Sequence, residues 1–485
     1  MTKTADWISR RAGFGFSLSD DPISQSQWFT RARQSISKPR SYTSNHRIKP
    51  LLESAGKGLS EADKKTYSGI TLGLKAGIVH RAQLWREEKR LLQENKNLQQ
   101  LMIDKSIRPV WLSTYRRADF CVNTEADFAN RLWLFWLNYF TVSESMNNLP
   151  CLPNFQEMVR TNMFGAMSDL VFKVVTHPAM ILYLDNQDNT GENSRASKEK
   201  WTDNGTNENL ARETLELYTV TPSNGYSQDD VNGMTNILTG WKLVDWDNIN
   251  ELRFEKDYHE PGTQTVLGKK YNSSTGKGQL KRVLRDLTSM QDTAKHLAFR
   301  LCQHFIADHP EPDHVNQLAT IYRKNKGQLA PVYLGLLDIL EELEQTGDKF
   351  LNPEVWLYHT LKTFDIDVPN GVPRNWNFNP NGIASILREL GLLHGEAQQP
   401  NGWPEVEQSW LSNEYLDRRL RLASIIGRNY SYTSVTTEAV KNHGLDVEQL
   451  QRFNLSPHTQ NVILGSQQPI QQIAALLCSP GFLRS

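Results

Sequence analysis

The side chains best suited to chemistry are concentrated in one short segment, residues 207–218. At about 100° per residue, a helix through this segment places its ionisable side chains and one amide on a single face: Glu208, Asn209, Arg212, Glu213 and Glu216. Paired carboxylates can hold a metal ion or act as an acid and a base, and a guanidinium group can hold an anion. We therefore predict catalytic roles for Glu213 and Glu216, and substrate binding by Arg212 and Asn209.

The spacing of these charges is also typical of an ordinary surface helix. Arg212 stands four residues from both Glu208 and Glu216, and exposed ion pairs at that spacing stabilise a helix by about 0.2–0.5 kcal/mol each. A solvated amphipathic helix with salt bridges would have this sequence. The catalytic interpretation requires instead that the carboxylates face an enclosed cleft, and the sequence leaves both interpretations open.

Two residues outside this segment are further candidates. His259 precedes the turn-forming pair Pro261-Gly262, where an imidazole can carry a proton or bind a metal, although a histidine in a turn is more often a surface residue. Asn138 interrupts a run that is apolar on nearly every side, so its amide is either a structural bracket or part of a polar pocket. We predict a catalytic role for His259 and a substrate-binding role for Asn138.

Helices must position these side chains, because apolar residues recur at three- and four-residue steps and strict alternation is scarce. The fold class predicted is mainly α, a large multi-helix globular bundle. One long helix or two consecutive ones are expected over residues 70–101, and a helix buried at the centre of the bundle over residues 128–142. Ser227 and Asp230 have the spacing that caps the start of a further helix.

Two segments depart from the helical pattern. One short β-hairpin is predicted near residues 251–271, with strands at 252–254 and 265–268 on either side of a Pro-Gly turn. Residues 185–205 lack apolar periodicity and are predicted to form an exposed, mobile loop that can serve as a lid. The chain is divided into a helical body, residues 1–365, and a C-terminal helical part, residues 366–485, packed together as one unit.

The composition argues against several classes of partner. Lysine plus arginine and aspartate plus glutamate both number 54 in 485 residues, so no net charge attracts nucleic acid or an anionic membrane. The four cysteines lie far apart and are expected to be buried thiols in a reducing compartment. The first residues lack the apolar region of a signal peptide, and no stretch reaches the length of about 18 apolar residues that a membrane span needs. These features predict a cytoplasmic protein.

Several ordered motifs resemble the signature of the domain of unknown function 1800 family. The most specific are Asn-Glu-Asn-Leu-Ala-Arg-Glu-Thr-Leu-Glu-Leu at 207–217, Gly-Tyr-Ser-Gln-Asp-Asp-Val at 225–231, Leu-Thr-Gly-Trp at 238–241 and His-Glu-Pro-Gly at 259–262. Further agreement lies at residues 11–15, 136–138, 177–186, 400–404 and 477–480, so the resemblance spans nearly the full length. It implies a mostly helical protein with no settled activity, often exported and often encoded beside a sulfatase-like companion protein.

The chain departs from the family pattern at three positions that bear on metal binding. The pattern tends to have histidine where this chain has Tyr139 and Tyr218, and His-Asp where it has His259-Glu260. Tyrosine is a poor substitute for imidazole as a ligand of zinc or ferrous iron. The resemblance therefore argues against metal dependence here and leaves a bound divalent metal as the alternative. The missing export signal suggests a cytoplasmic branch of the family.

Two functions are compatible with these residues. The first is an enzyme acting on a polar substrate or a partner protein through the carboxylate, arginine and histidine cluster, with Trp241 and Arg11 as further substrate-binding residues. Glu208, Asp185 and Asp230 would then support the cluster. The second is a non-catalytic helical scaffold or maturation factor that binds a partner, such as the sulfatase-like companion.

Overall fold

The computed structural model describes residues 5–38, 108–144, 151–221, 225–243, 252–272, 276–343, 349–369, 382–428 and 444–485. Within these residues, helices dominate and strands form two small two-stranded antiparallel sheets, which confirms the mainly α prediction. The helix predicted over residues 70–101 lies outside the described part of the chain. No helix among the described residues combines the length and apolar character needed to cross a membrane.

The first half of the helical body contains α1 (Asp6–Ala12), α2 (Gln25–Ser37), α3 (Arg108–Asn123), α4 (Asp127–Tyr139), α5 (Leu152–Asn162), α6 (Met167–Val175), α7 (Pro178–Tyr183), α8 (Arg195–Lys198), α9 (Asn209–Glu216) and α10 (Gln228–Leu238). After the strands come α11 (Gly276–Thr288), α12 (Gln291–Phe305), α13 (Pro312–Lys324), α14 (Leu329–Glu342) and α15 (Pro353–Thr363). The remaining helices are α16 (Ile383–Leu390), α17 (Asn413–Arg428), α18 (Val447–Gln451), α19 (Pro457–Gly465), α20 (Pro469–Leu477) and α21 (Pro480–Leu483).

Helix α4 is the centre of the packing. Each of its residues, from Asp127 to Tyr139, is buried, as the apolar run predicted. The helix contributes to two apolar cores, because Trp133 and Trp136 lie in the first and Leu134 in the second. The second core takes in residues from Phe350 to Leu483 together with parts of α3, so α3 and α4 join the two halves of the chain. The boundary between residues 365 and 366 stays a prediction.

Two of the four strands in the described residues, β2 and β3, lie where strands were predicted, but they do not pair with each other. Strand β1 (Trp241–Leu243) pairs with β2 (Leu252–Phe254), and β3 (Gln264–Val266) pairs with β4 (Lys269–Tyr271). The predicted pairing of residues 252–254 with 265–268 was therefore wrong. Leu267 and Gly268 both have positive φ, 49° and 72°, which is the geometry of a tight two-residue hairpin turn, so β3 is paired locally.

The segment after α7 is more ordered than its composition predicted. Asn186 donates from Nδ2 to the backbone carbonyl of Leu238 at 3.1 Å, and Asn189 donates to that of Thr235 at 3.0 Å. Both side chains are fully buried. Their amides donate to carbonyl groups near the end of α10, which have no partner within the helix. The prediction of an exposed loop was wrong at residues 186, 189–191, 194 and 196, which are buried. Residues 188, 192, 193 and 195 and most of residues 198–205 are exposed, as predicted.

Burial, which the sequence predicted for all four cysteines, is confirmed for three of them. All four are free thiols; Cys121, Cys151 and Cys302 are buried and Cys478 is half-buried. Burial raises the pKa of the Cys151 and Cys302 thiols to about 12. These thiols are therefore protonated at neutral pH and behave as small apolar side chains.

Candidate functional site

The candidate site is built around α9. The helix buries Leu210, Ala211, Thr214 and Leu215 and turns its charged face outward and toward α10. Asn207 Oδ1 accepts a hydrogen bond from the backbone N–H of Asn209 at 3.0 Å, which satisfies one of the free amides at the helix start. The side chain of Asn209 is exposed.

Arg212 is the centre of a surface network of ion pairs. It donates from Nη2 to Glu208 Oε2 at 2.7 Å and to Gln228 Oε1 at 2.7 Å, and its Nη1 lies 3.9 Å from Glu216 Oε1. Gln228 closes the network by donating to Glu208 Oε1 at 2.8 Å. Because Glu208 and Arg212 are 36% and 39% exposed, their pairing is worth at most about 1 kcal/mol. For these two residues the geometry matches the surface-helix interpretation.

Glu216 and Glu213 lie in different environments although they are three residues apart. The Glu216 carboxylate accepts a hydrogen bond from the hydroxyl of Tyr226 and faces Arg212. The half-buried Glu213 carboxylate makes no hydrogen bond or ion pair with any described residue. Burial, and then the charge of Glu216, raises the pKa of Glu213 to about 7. Glu213 is thus poised between its acid and base forms at neutral pH.

The charge of Glu213 acts on two nearby tyrosines. Burial and the charge of Glu213 both raise the pKa of Tyr183, whose hydroxyl is hydrogen-bonded to that of Ser143. The pKa of Tyr218 is also raised by burial and then by the charge of Glu213. Ser143 in turn donates to the backbone carbonyl of Ala397, so the C-terminal part of the chain reaches this area. The sequence analysis did not select Tyr183 or Ser143, although Tyr183 belongs to one of the family motifs.

The two positions that depart from the family pattern are adjacent here. Tyr139 donates from its hydroxyl to the backbone carbonyl of Tyr218 at 3.5 Å, and Tyr218 donates to Met180 Sδ at 3.5 Å. Burial raises the pKa of both phenols, so each stays protonated at neutral pH. Protonated phenols that donate hydrogen bonds do not fit the role of metal ligands. In the described part of the chain, no group of three acidic, histidine or cysteine side chains is arranged to hold a metal ion.

Two side chains of α12, Arg300 and His296, lie near the ring of Tyr139. The guanidinium of Arg300 lies 5.6 Å from the ring centroid of Tyr139, and the ring of His296 lies 5.9 Å from it. Burial, together with the positive charge of Arg300, lowers the pKa of His296 to about 4. His296 is therefore neutral at pH 7. Neither residue was selected from the sequence, because neither belongs to a short motif.

His259 is buried and serves the fold. Its Nδ1 lies 3.0 Å from both the backbone carbonyl and the hydroxyl of Thr239, and its Nε2 lies 3.2 Å from Gln279 Oε1. These bonds run to the end of α10 and to α11, and not to the carboxylates of α9. Burial lowers the pKa of His259, so its imidazole is neutral at pH 7. The ring joins the strands to two helices.

Trp241 and Asp230 make contacts that stabilise the fold around the strands. Trp241 is buried between the rings of Phe172 and Phe254, at centroid distances of 6.0 and 5.4 Å. Asp230 forms the predicted cap with Ser227 and accepts a hydrogen bond from the backbone N–H of Leu267 at 2.6 Å. It thereby fixes the β3–β4 turn against α10.

Almost the whole chain matches the sequence pattern of one protein family. The model of the family described as "Protein of unknown function (DUF1800)" matches residues 8–484. The chain belongs to the DUF1800 family. This match confirms the resemblance drawn from the motifs and covers nearly the whole chain. No curated protein and no solved structure matches it.

The DUF1800 motif that contains Asn138 fastens a distant segment to α4. Asn138 donates from Nδ2 to the backbone carbonyl of Trp403 and to Glu405 Oε1, both at 2.9 Å, and accepts from the Trp403 N–H at 2.7 Å. Asn138 is thus a bracket, and it also lines a cavity of about 10 Å³, which is room for one water molecule. His304 Nδ1 lies 2.9 Å from Glu405 Oε2 on the same side.

A second buried ion pair lies beside this bracket. Glu354 Oε2 is 2.7 Å from His394 Nε2, and its Oε1 is 3.3 Å from Arg117 Nη2. Burial acts to raise the pKa of Glu354, but the charges of His394 and Arg117 outweigh it and lower that pKa to about 2. Glu354 and Arg117 are both almost completely buried, so this group joins α3 to α15 inside the protein.

The remaining predicted residues lie elsewhere. Arg11 is buried, donates to the backbone carbonyl of Ile306 and lies 5.6 Å from the ring of Trp7, so it fastens α1 to the end of α12. Asp185 lies two residues after the end of α7, where its backbone is left-handed, φ 54°. Of three cavities of about 650, 20 and 10 Å³ lined by described residues, only the 10 Å³ cavity is lined by a predicted residue, Asn138. The predicted set is therefore divided among α9, the strands, the Asn138 bracket and α1.

Proposed function

We propose that this chain is an enzyme that transfers protons on a polar substrate, with Glu213 as the general acid and base. The supporting observation is the difference between the two carboxylates of α9. Glu216 is held by Arg212 and Tyr226, whereas Glu213 is half-buried and has no hydrogen-bond partner among the described residues. Carboxyl pairs whose environments separate their pKa values are a recurrent source of acid and base pairs in enzymes.

Each neighbour has a role in this proposal. Arg212 and Tyr226 keep Glu216 in place, and the negative charge of Glu216 favours the protonated form of Glu213. Tyr183 lies close enough to Glu213 for the charge of that carboxylate to raise the pKa of its phenol, and we assign it the role of limiting water on that side. A substrate approaching from solvent would accept a proton from Glu213 or lose one to it. Arg212 is already paired, so its contribution is to position Glu216.

The experiment is a turnover screen over esters, amides, phosphate esters, glycosides and peptides. Wild-type protein is compared with Glu213→Gln, Glu216→Gln and, as the control, Glu199→Gln, which affects only an exposed pair with Arg195. Loss of a general acid or base lowers turnover by roughly a hundredfold or more, so Glu213→Gln should do so. Glu216→Gln should move the pH profile toward acid, and Glu199→Gln should leave turnover unchanged. Full activity of Glu213→Gln on every substrate that the wild type converts would refute the assignment.

A second candidate is a non-catalytic scaffold that binds a partner protein. Trp201 is 46% exposed, the guanidinium of Arg195 stacks 5.1 Å from its ring, and Tyr258 lies 6.2 Å away. Exposed tryptophan and arginine are the side chains most enriched at the energetic centres of protein interfaces. We would test this candidate with the sulfatase-like companion in a pull-down. Loss of binding in Trp201→Ala, with wild-type binding and no turnover across the screen, would favour the scaffold.

A further inference from the structure

A large cavity lies away from α9, and none of the predicted site residues lines it. Its volume is about 650 Å³, which is within the usual range of small-molecule sites. Its walls come from α1, the chain between α1 and α2, α2 itself, the α3–α4 connection, and the end of α15. Three aromatic side chains, Phe16, Trp28 and Phe128, form part of the lining.

The lining is strongly acidic. Among the described residues, three cationic side chains contribute to it: Arg31, Lys362 and Arg452. Seven carboxylates contribute: Asp6, Asp20, Asp21, Glu125, Asp127, Asp365 and Asp367. Negative charge lining a concave surface raises the local concentration of cations.

Each cation is already paired. Arg452 Nη2 lies 2.8 Å from Asp6 Oδ1, and Lys362 Nζ lies 2.9 Å from Asp127 Oδ1. The remaining pair, between Arg31 and Glu125, is longer, at 3.5 Å. Asp20 and Asp21 are exposed at the edge of the cavity and form no ion pair with a described residue. The cavity therefore keeps negative charge available for a ligand.

The chain itself shows how this wall holds a guanidinium. The guanidinium of Arg452 lies 3.9 Å from the ring centroid of Phe16. It binds both carboxylate oxygens of Asp6 and donates to the backbone carbonyls of Ser17 and Asp20 at 3.0 and 3.1 Å. Stacking on an aromatic face, combined with a paired carboxylate, is the arrangement that recognises planar cations. Asp20 contributes its carbonyl here and leaves its carboxylate at the edge.

We propose that this cavity binds a small organic cation that carries a guanidinium or ammonium group. A divalent metal fits the lining less well. The carboxylates are spread around the walls, and no three of them within the described residues are arranged to hold a metal ion. An extended cation can reach Asp20 and Asp21 at the edge while its apolar part lies against Trp28 and Phe128. This site is separate from Glu213, so the inference does not depend on the proposed proton transfer.

Isothermal titration calorimetry with butylguanidinium tests the proposal at low ionic strength. Butylurea is the matched probe, because it has nearly the same shape without the charge. We expect saturable binding of butylguanidinium and none of butylurea. The double variant Asp20→Asn/Asp21→Asn should raise the Kd by about fivefold or more, because it removes the two edge carboxylates that form no ion pair with a described residue.

The control variant is Asp203→Asn/Asp313→Asn. It removes two exposed carboxylates outside the cavity and changes the net charge equally, so it should leave the Kd unchanged. Circular dichroism checks that both variants are folded. The proposal is overturned if wild-type protein shows no saturable heat with butylguanidinium, if butylurea binds equally well, or if the two double variants have the same Kd.

Discussion

The hydroxyl of Tyr139 donates to the backbone carbonyl of Tyr218 at 3.5 Å. The two positions at which the family resemblance implies imidazoles thus meet in the core, and Tyr218 lies close enough to Glu213 for the charge of that carboxylate to raise the pKa of its phenol. Because phenols are poor ligands for zinc or ferrous iron, two tyrosines in this place favour a Glu213 carboxyl group that acts without a metal. Two histidines there, with Glu213, would form a three-ligand set of the kind that binds zinc.

The double variant Tyr139→His/Tyr218→His tests this relationship. We expect the folded variant to retain about one zinc ion per chain after dialysis, because three ligands of the right type would then be adjacent. Wild-type protein and the single variant Tyr139→His should retain none above background. Elemental analysis gives the metal content, and circular dichroism the fold. A folded double variant without zinc would show that the two side chains and Glu213 do not converge.

Glu354→Gln should destabilise the protein strongly. The substitution removes one charge from a buried group and leaves Arg117 without its carboxylate. Breaking a buried pair in this way costs roughly 3 kcal/mol of unfolding free energy. Urea denaturation measures the change, with Glu208→Gln as the exposed comparison, for which about 1 kcal/mol or less is expected. Equal losses in the two variants would contradict the importance of the buried pair.

The stability of the protein should fall in acid because of two buried glutamates. The pKa of Glu354 is lowered from 4.5 to about 2, and that of Glu405 is also lowered, because the charges of His304 and Lys349 outweigh its burial. A carboxyl whose pKa is lower in the folded state stabilises the protein above its unfolded pKa, and this contribution is lost as the pH falls. Melting temperatures between pH 6 and pH 2 should therefore decline in wild type. Glu354→Gln should show a flatter profile, and an identical slope would contradict the assignment.

Glu260 should control local opening of the segment after α7. Its carboxylate accepts from the backbone N–H of Asn193 at 2.9 Å and from Asn193 Nδ2 at 2.8 Å. In Glu260→Gln an amide N–H group must face one of these donors, so hydrogen exchange at Asn193 should accelerate by about tenfold. Glu199→Gln, which affects only an exposed pair with Arg195, is the control. Unchanged exchange at Asn193 would mean that the segment is held by Asn186 and Asn189 alone.

Local patterns predicted the elements of this fold, and long-range contacts decided the roles of single residues. The apolar run of α4 and the Ser227–Asp230 cap were visible in the sequence, because each depends on neighbours a few residues away. The pairing of β1 with β2 was not visible in the sequence, because the residues of two three-residue strands do not specify which strands pair. The ordered segment after α7 was missed for a related reason, because its buried amides bind carbonyls of α10.

The candidate site shows the same difference between what local patterns predict and what long-range contacts decide. Helical spacing predicted that Glu213 and Glu216 share a face, but only packing distinguishes them. Tyr226 reaches Glu216 from the start of α10, and Tyr183 at the end of α7 lies near Glu213. Asn138 could not be assigned from its own neighbours either, since its partner Glu405 lies 267 residues away. Residue type and spacing thus located α9, and tertiary contacts determined which carboxyl differs.

The most direct test is the titration of the Glu213 carboxyl group itself. Carbon NMR of protein labelled at the glutamate carboxyl carbons should show a resonance that titrates near pH 7 and disappears in Glu213→Gln. Burial raises the pKa of Glu144 to about 7 as well, so Glu144→Gln is needed to assign the second such resonance. In Glu216→Gln the pKa of Glu213 should fall, because a neighbouring negative charge is removed. A Glu213 resonance that titrates below pH 5 would contradict the account.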